Sequence, residues 1–176
     1  MNEVGIKKIK LNELRMFIFE AMISELAEGL YIEIEDFGRS LTIKILKEGK
    51  SKAHSPGWIN MSRRQVNEGL AWEINNSNAR SGYGPLLYDL AMEVAISMKG
   101  GVGITSDSVD VSNSAIGVWE YYFMSRPDVK KIELPTYAIN KVKMKSEALR
   151  YYYYKVGTPL LDKLHAEGKI VMKEDT

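Results

Sequence analysis

The chain has 176 residues, of which 45% are hydrophobic and 27% charged, so it can form one globular domain with a core of its own. Its 24 basic and 23 acidic side chains leave a formal charge of +1, which excludes a strong overall attraction to nucleic acid or to an anionic membrane. The absence of cysteine excludes disulfide bonds, thiolate zinc sites and a cysteine nucleophile.

The first predicted elements are a strand and a helix. Residues 4–9 indicate a short strand, because valine and isoleucine recur there. Asn12 is suited to cap a helix that continues to about Glu28 and ends at Gly29, since apolar side chains follow at three- and four-residue spacing. This spacing predicts a helix with one apolar side.

Four strands are predicted next, because the period of the hydrophobic pattern drops to two. Residues 31–36 and 40–46 alternate between apolar and polar side chains, which is typical of an antiparallel hairpin with one polar face. Residues 57–61 and 70–74 indicate two further strands. The polar stretch between them, residues 62–69, tolerates a helix.

The remaining elements alternate between helices and strands. In chain order, the sequence predicts a helix from Pro85 to Met98, a strand at 102–105, a helix from Ser112 to about Phe123, a strand at 129–134, helices at 146–155 and 158–168, and a short strand at 169–172. The whole pattern indicates an α+β or mixed α/β fold, and no linker separates the C-terminal part from the rest.

The segment NARSGYGPLLYDLAMEVA, residues 78–95, leads from a polar loop directly into a helix. Gly82 and Gly84 remove side chains where the backbone turns or approaches a ligand, and Pro85 suits the first helical position. Unpaired N–H groups and the helix dipole favour a phosphate or pyrophosphate at such a start, to which Arg80 adds a positive charge. The same glycines also fit a plain strand-to-helix connection, and the spacing matches neither the dinucleotide fingerprint nor a Walker loop.

The helix after this loop has an apolar side and a charged side. Asp89 and Glu93 lie opposite the apolar stripe, so they are expected to face away from the core. The stripe consists of Leu87, Leu90, Ala91, Val94, Ala95 and Met98. The pattern therefore predicts a helix that packs firmly against a sheet.

The stretch ARSGYG resembles the acetyl-coenzyme A loop of GNAT-type N-acetyltransferases, whose signature is Q/R-x-x-G-x-G/A between the central strand and a helix. Ala79 stands where the family has Gln or Arg, and Arg80 follows one position later. The longer pattern GYGPLLYDLAME, followed by TSD, VSNSA and VWEYY, is similar to GNAT-related proteins of bacteriophage genomes.

This resemblance implies a mixed, mostly antiparallel sheet flanked by helices over residues 1–134, with a helical C-terminal extension, residues 135–176, packed on the same domain. It implies acetyl-CoA as the cofactor, with its pantetheine between two splayed strands, AWEIN and GVGIT. The cofactor-binding residues that it implies are Ile74, Arg80, Ser81, Gly82, Tyr83, Gly84 and Asn113.

In the family that this chain resembles, a tyrosine on the helix after the second splayed strand protonates the departing thiolate. The two possible alignments of SNSAIGVWEYY place Trp119 or Glu120 at that position, so Tyr122 and Tyr121 are the candidate acids. Core packing is the alternative for both tyrosines. Glu73 is a candidate base, because alternation places it opposite Trp72 and Ile74; its alternative is the polar side of a strand.

Three further features have simpler explanations beside the functional ones. Asp107 follows a strand and is either a functional carboxylate or part of a turn. His54 and His165 have no ligand spacing around them, so no metal site is expected. The run Tyr151–Tyr154 indicates a contact with a protein partner or a second copy of the chain, with ordinary packing and base stacking as alternatives.

Two functional hypotheses follow. The first is an acetyl-CoA-dependent N-acyltransferase of unknown acceptor, encoded by a phage or a cell. The second is a catalytically inactive GNAT-like phage protein with a structural, virion-associated or host-protein-binding role, favoured by Trp119, Ala79 and the unmatched tyrosine-rich tail. The first residues lack a signal peptide, and no apolar run reaches the roughly 20 residues of a membrane span, so we expect a cytoplasmic or virion location.

Overall fold

The computed structural model describes residues 26–79 and 82–174. The predicted strand at 4–9 and nearly all of the predicted helix at 12–28 lie outside the described residues, as do Arg80 and Ser81. The described residues form one mixed sheet, and its main hydrophobic core lies between one sheet face and the α-helices.

Eight strands and three α-helices make up the described part of the chain. The strands are β1 (Leu30–Asp36), β2 (Ser40–Lys47), β3 (Gly57–Val66), β4 (Gly69–Ala79), β5 (Gly101–Ser106), β6 (Val129–Glu133), β7 (Tyr151–Lys155) and β8 (Ile170–Glu174). The helices are α1 (Gly84–Ser97), α2 (Asn113–Ser125) and α3 (Pro159–Ala166). Short 3-10 turns occupy Lys52–His54, Thr136–Ala138, Lys143–Lys145 and Glu147–Arg150.

The strands follow the order β6-β7-β5-β4-β3-β2-β1-β8 across the sheet. Two neighbouring pairs, β4 with β5 and β1 with β8, are parallel, and the other neighbours are antiparallel. The prediction of an α+β fold with a mixed, mostly antiparallel sheet is therefore confirmed.

The predicted hairpin is confirmed as β1 and β2, which pair from Leu30–Lys47 to Asp36–Leu41. The prediction that residues 62–69 tolerate a helix is wrong, because β3 continues to Val66 and β4 begins at Gly69. Interactions across the two strands explain the difference, since Arg64 forms an ion pair with Glu73 and the guanidinium of Arg63 lies 5.6 Å from the ring centre of Trp72.

The predicted helices at Pro85–Met98 and Ser112–Phe123 are confirmed as α1 and α2. Ser112 caps α2, because its hydroxyl accepts a hydrogen bond from the N–H of Ala115 at 3.2 Å. Trp119 of α2 lies against Tyr153 of β7, with ring centres 5.6 Å apart, so α2 packs on the same sheet face as α1.

The helix predicted over residues 146–155 is wrong. A 3-10 turn ends at Arg150, and Tyr151–Lys155 form strand β7, which lies between β5 and β6. A strand in this position buries side chains on both faces of the sheet, so Tyr153 enters the main core and Tyr152 a second one. The C-terminal segment therefore contributes strands β7 and β8 as well as helix α3, and it is not a purely helical extension.

The prediction that Asp89 and Glu93 face away from the core is wrong. Both side chains are buried. Lys155 donates hydrogen bonds to both carboxylates, at 3.0 Å for Asp89, and Arg126 donates to Asp89 at 2.9 Å. The N–H of Leu161 donates to Glu93 at 2.8 Å. Burial raises the pKa of Glu93, although Leu161 and Lys155 oppose that shift. This network connects α1 to β7, α3 and the end of α2.

Candidate functional site

Strands β4 and β5 run side by side for part of their length and then separate. They pair in parallel from Leu70–Gly101 to Ile74–Ser106, where β5 ends. Beyond Ile74, β4 continues to Ala79 paired only with β3 among the described strands. The register between β3 and β4 also shifts at this point, because Met61 faces Ile74 and the next pair is Asn60 with Asn76.

A cleft of about 330 Å³ occupies the space that opens where the two strands separate. Its lining residues come from the second half of β4, the loop after β5, and helices α1 and α2. They are Ile74, Asn75, Asn76, Ser77, Tyr88, Asp107, Asp110, Val111, Ser112, Ala115 and Trp119. The cleft is of the size found in small-molecule sites, and among the described residues predicted to bind the cofactor, Ile74 lines it.

Tyr88 is the tyrosine that lines this cleft. Its hydroxyl lies 3.5 Å from the hydroxyl of Ser77, and its ring meets Trp119 edge to face with centres 5.7 Å apart. Burial raises the pKa of Tyr88, and the contact with Ser77 opposes this shift only in part. The hydroxyl of Tyr88 therefore carries its proton at neutral pH. Asp107 also lines the cleft. Its carboxylate accepts a hydrogen bond from the N–H of Val109, two residues later, at 3.0 Å, a bond that stabilises a turn.

The predicted anion-binding loop meets the start of α1. Gly82 has φ +81°, a left-handed conformation that favours glycine. Tyr83 occupies the N-cap position of α1, and no side chain of the described residues caps the helix there. A Cβ on Gly84 would lie 3.7 Å from the Cβ of Ala79, an ordinary contact, so packing within the described residues does not require glycine at this position.

The other residues predicted on α2 do not line the cleft. Tyr122 is buried in the core, with its ring centre 6.1 Å from Trp119 and 6.0 Å from Tyr153, and burial raises its pKa well above the ordinary value. Tyr121 packs against Tyr122 with ring centres 6.2 Å apart, and neither tyrosine is among the cleft-lining residues. Asn113 is exposed at the first position of α2.

Glu73 lies on the sheet face opposite the cleft, as the alternation along β4 predicts. It is buried, and it accepts hydrogen bonds from Arg64 and from the hydroxyl of Ser108. Lys143 is also fully buried on this face, where its ammonium group donates to Thr105 at 3.2 Å and to Ser106. Burial lowers the pKa of Lys143 to about 7, although the charge of Glu73 opposes that shift.

Tyr88 and Lys143 are not among the residues that the sequence patterns indicate. Tyr88 follows Gly84 by four residues, so it lies one helical turn beyond the loop, and this spacing was a signal that could have indicated it. Lys143 lies in a segment without a regular period, and no local signal distinguishes it from Lys141 or Lys145.

The run Tyr151–Tyr154 exposes less surface for a protein partner than its composition indicates, because Tyr152 and Tyr153 are buried inside the sheet.

No helix within residues 26–79 and 82–174 is long and apolar enough to cross a membrane. Within the same ranges, no group of three or more His, Asp or Glu side chains is arranged to hold a metal ion. No protein-family model matches the chain, and no curated protein matches its sequence.

Proposed function

We propose that the protein is a GNAT-like N-acyltransferase that binds acetyl-CoA, or a related acyl-CoA, in the cleft between β4 and α2. The single observation that carries this proposal is the separation of β4 from β5 beyond Ile74, just before the loop that leads into α1. The parallel pair, the glycine loop and the following helix occur in the order that the resemblance of ARSGYG implies.

The exposed edge of β4 is the first feature that fits this ligand. No described strand pairs with β4 on the β5 side beyond Ile74, so that edge presents backbone N–H and C=O groups to the cleft. An extended ligand with amide groups of its own, such as pantetheine, can bind such an edge as an added strand does. The cleft-lining Asn75, Asn76 and Ser77 belong to this stretch.

The start of α1 is the second feature. No described side chain caps α1, and Pro85 in its first turn has no N–H, so the N–H of Gly84 and the positive end of the helix dipole are the groups offered to an anion there. Gly82, two residues before the first residue of α1, has a left-handed backbone. A diphosphate near Gly82 and Gly84 therefore binds where the chain passes from β4 to α1.

Acetyl-CoA supplies an acyl thioester, which an amine attacks at its carbonyl carbon; the C–S bond breaks with the thiolate as the leaving group, and the nitrogen loses one proton to solvent as the amide forms. Tyr88 is the residue that we assign to protonate this thiolate, because it lines the cleft and its hydroxyl reaches Ser77, another cleft-lining residue. Ser77, 3.5 Å away, orients that hydroxyl. This assignment replaces Tyr121 and Tyr122, whose rings pack in or beside the core.

The second candidate function is a GNAT-like protein without catalysis, in a structural or host-protein-binding role. Trp119 favours it, because an indole occupies the cleft wall at a position where one alignment with the family expects the acid. The edge-to-face contact between Trp119 and Tyr88 narrows the cleft beside the proposed proton donor.

The first test measures binding of CoA and acetyl-CoA by calorimetry and by thermal shift. Ligand at 100 times its dissociation constant is expected to stabilise the fold by about 2.7 kcal/mol. Gly82→Asp is expected to abolish binding, because it adds a side chain and a negative charge at the proposed phosphate position. Gly38→Asp is the matched control, since Gly38 has a similar φ of +85° in the exposed β1–β2 turn.

The second test measures release of free thiol from acetyl-CoA in the presence of a panel of primary amines. The chain contains no cysteine, so the protein itself gives no thiol background. Release that requires an amine supports the transferase. Binding of CoA without release for any amine favours the non-catalytic candidate, and binding that Gly82→Asp leaves unchanged contradicts the assignment of the loop.

A further inference from the structure

A second cavity, of about 420 Å³, lies across β2, β3 and β4. Ile43, Ile45 and Ile59 are buried in the main core, so the alternate residues of the same strands point to the opposite face of the sheet, away from α1 and α2. The cavity opens on that opposite face. It is lined by Thr42, Lys44, Lys52, Ala53, Ser55, Trp58, Asn60 and Asn78, and we call it the Trp58 pocket.

The sheet register arranges the floor of the Trp58 pocket. Lys44 faces Trp58 across β2 and β3, and Trp58 faces Asn78 across β3 and β4, so the three side chains form one row. Neighbouring strands lie about 4.8 Å apart, which places Lys44 on one side of Trp58 and Asn78 on the other. Thr42 and Asn60 form the next row.

The wall of the pocket is tied to three strands. The hydroxyl of Ser55 lies 2.6 Å from the backbone oxygen of Ile45 and 2.8 Å from that of Gly57, and its one hydrogen can be donated to either. The ammonium of Lys52 donates to both carboxylate oxygens of the buried Glu33 of β1, at 3.0 and 3.2 Å. These bonds hold the turn Lys52–His54 against β1, β2 and β3, so the cavity has a defined shape.

Among the described residues, the lining of the Trp58 pocket is rich in hydrogen-bond donors and includes no acidic side chain, while the buried Glu33 faces Lys44 across β1 and β2. The hydroxyl of Thr42 donates to the amide oxygen of Asn60 at 2.7 Å, which leaves the NH₂ group of Asn60 to donate elsewhere. Lys44 and Lys52 supply two ammonium groups, one of them paired with Glu33. The half-buried indole of Trp58 is a flat platform for a ring. The pocket therefore suits a flat ring joined to an anionic group.

We propose that the Trp58 pocket binds a nucleoside monophosphate, separately from the cleft that serves the proposed transferase. The base stacks on Trp58, the amides of Asn60 and Asn78 bind its edge, and Lys44 with Lys52 binds the phosphate. A mononucleotide matches a cavity of this size. Asn78 faces Trp58 of the pocket, whereas Ser77 of the cleft faces the core residue Ile59, so the two sites lie on opposite faces of the sheet at this point.

The test is calorimetric titration of the full chain with AMP, GMP, CMP and UMP, and with adenosine and ribose 5-phosphate as the two parts of AMP. At least one monophosphate is expected to bind about tenfold or more tightly than either part, since stacking and charge act together. Tryptophan fluorescence supplies a second readout; Trp72 and Trp119, the other two tryptophans, also emit, so the signal assigned to Trp58 is the change that Trp58→Ala removes. A stacked base is expected to quench the emission of Trp58.

Three variants locate the site. Trp58→Ala and Asn78→Asp are each expected to weaken nucleotide binding about tenfold, the first by removing the platform and the second by adding a carboxylate. Asn78 is exposed, so its variant keeps the fold even where Trp58→Ala lowers stability. Lys47→Gln is the matched control, because Lys47 lies on β2 outside the pocket, and binding is expected to be unchanged.

No binding of any monophosphate at millimolar concentration would overturn the proposal. So would ribose 5-phosphate that binds as tightly as AMP, or unchanged affinity in both Trp58→Ala and Asn78→Asp. A titration in saturating CoA separates the two sites: unchanged nucleotide binding supports a separate pocket, and competition shows that the nucleotide uses the CoA site instead. If the chain binds the nucleotide but not CoA, the result supports this pocket. It then contradicts only the proposed transferase function.

Discussion

Tyr88 of α1 and Trp119 of α2 meet edge to face at the cleft, with ring centres 5.7 Å apart. Both rings line the cleft, so the contact between them sets how closely the two helices approach there. Tyr88 combines this packing role with a hydroxyl directed to Ser77, and the two roles can be separated by substitution.

Tyr88→Phe is expected to keep the ring contact and remove the proposed proton donor. Binding of CoA is expected to stay within about twofold of wild type, while the rate of amine-dependent thiol release falls about 100-fold. Tyr122→Phe provides the comparison, because Tyr122 lies in the core outside the cleft. A rate that falls with Tyr122→Phe and not with Tyr88→Phe would return the acid role to the residue that the sequence indicates.

Gly101→Ala is expected to destabilise the fold strongly. A Cβ at Gly101 would lie 1.9 Å from the backbone oxygen of Ala95, so α1 and β5 would have to move apart, at a cost of at least about 2 kcal/mol. Gly117→Ala is the control: it lies within α2 with nothing within 4 Å of the added atom, and alanine there is expected to add roughly 0.5–1 kcal/mol to the free energy of unfolding. Urea denaturation measures both changes, and similar midpoints for the two variants would contradict the close approach of α1 and β5.

Asp89→Ala is expected to lower the free energy of unfolding by about 3–5 kcal/mol, because Arg126 and Lys155 stay buried with less opposite charge around them. Asp110→Ala removes an exposed carboxylate, 3.6 Å from Lys145, and is expected to cost less than about 1 kcal/mol. Chemical denaturation at neutral pH compares the two variants. Equal, small losses would show that the buried network does not hold α1 against β7.

Lys143 is expected to make stability increase with pH above neutral. Its pKa is about 7 in the fold against an ordinary value of 10.5, so between these values the unfolded chain binds the proton and the folded chain does not. The free energy of unfolding therefore rises with pH in this window, by at most about 1.4 kcal/mol per pH unit. Below pH 7 the contribution is constant, because the lysine is charged in both states.

The measurement is the difference in unfolding free energy between the wild type and Lys143→Met across pH 6 to 10, since other titrating groups cancel in that difference. The unfolding free energy of the wild type is expected to increase relative to that of the variant as pH rises from neutral. Parallel pH profiles for the two proteins would show that the ammonium of Lys143 is not desolvated in the fold.

Several elements were predictable from local pattern alone. The alternation in residues 31–36 and 40–46 determines which side chains of β1 and β2 enter the core, because shifting either strand by one residue would expose the isoleucines. Ser112 as a cap and Pro85 in the first turn mark the starts of α2 and α1. These features depend on neighbours a few residues apart, so the sequence contains all the information that they require.

Other features depend on partners that are distant in the chain. The run Tyr151–Tyr154 suits a helix or a strand by composition, and it becomes β7 because β5 and β6 offer edges on both of its sides. The positions of Asp89 and Glu93 on α1 predict a solvent-facing side. In the structure both are buried because Lys155 and Arg126, from other elements, form ion pairs with them. A buried charge and its partner cannot be recognised by a pattern that covers one helix.

The sequence by itself determined the α+β class, the order of most elements and the glycine loop before α1, because periodicity and turn chemistry are local. Only the tertiary structure decided that β4 separates from β5 beyond Ile74, that Tyr88 lies in the resulting cleft, and that Trp58 forms the floor of a second pocket. The physical reason is that a cleft is a property of strand register and of side chains brought together from separate elements, and neither is encoded within any single segment.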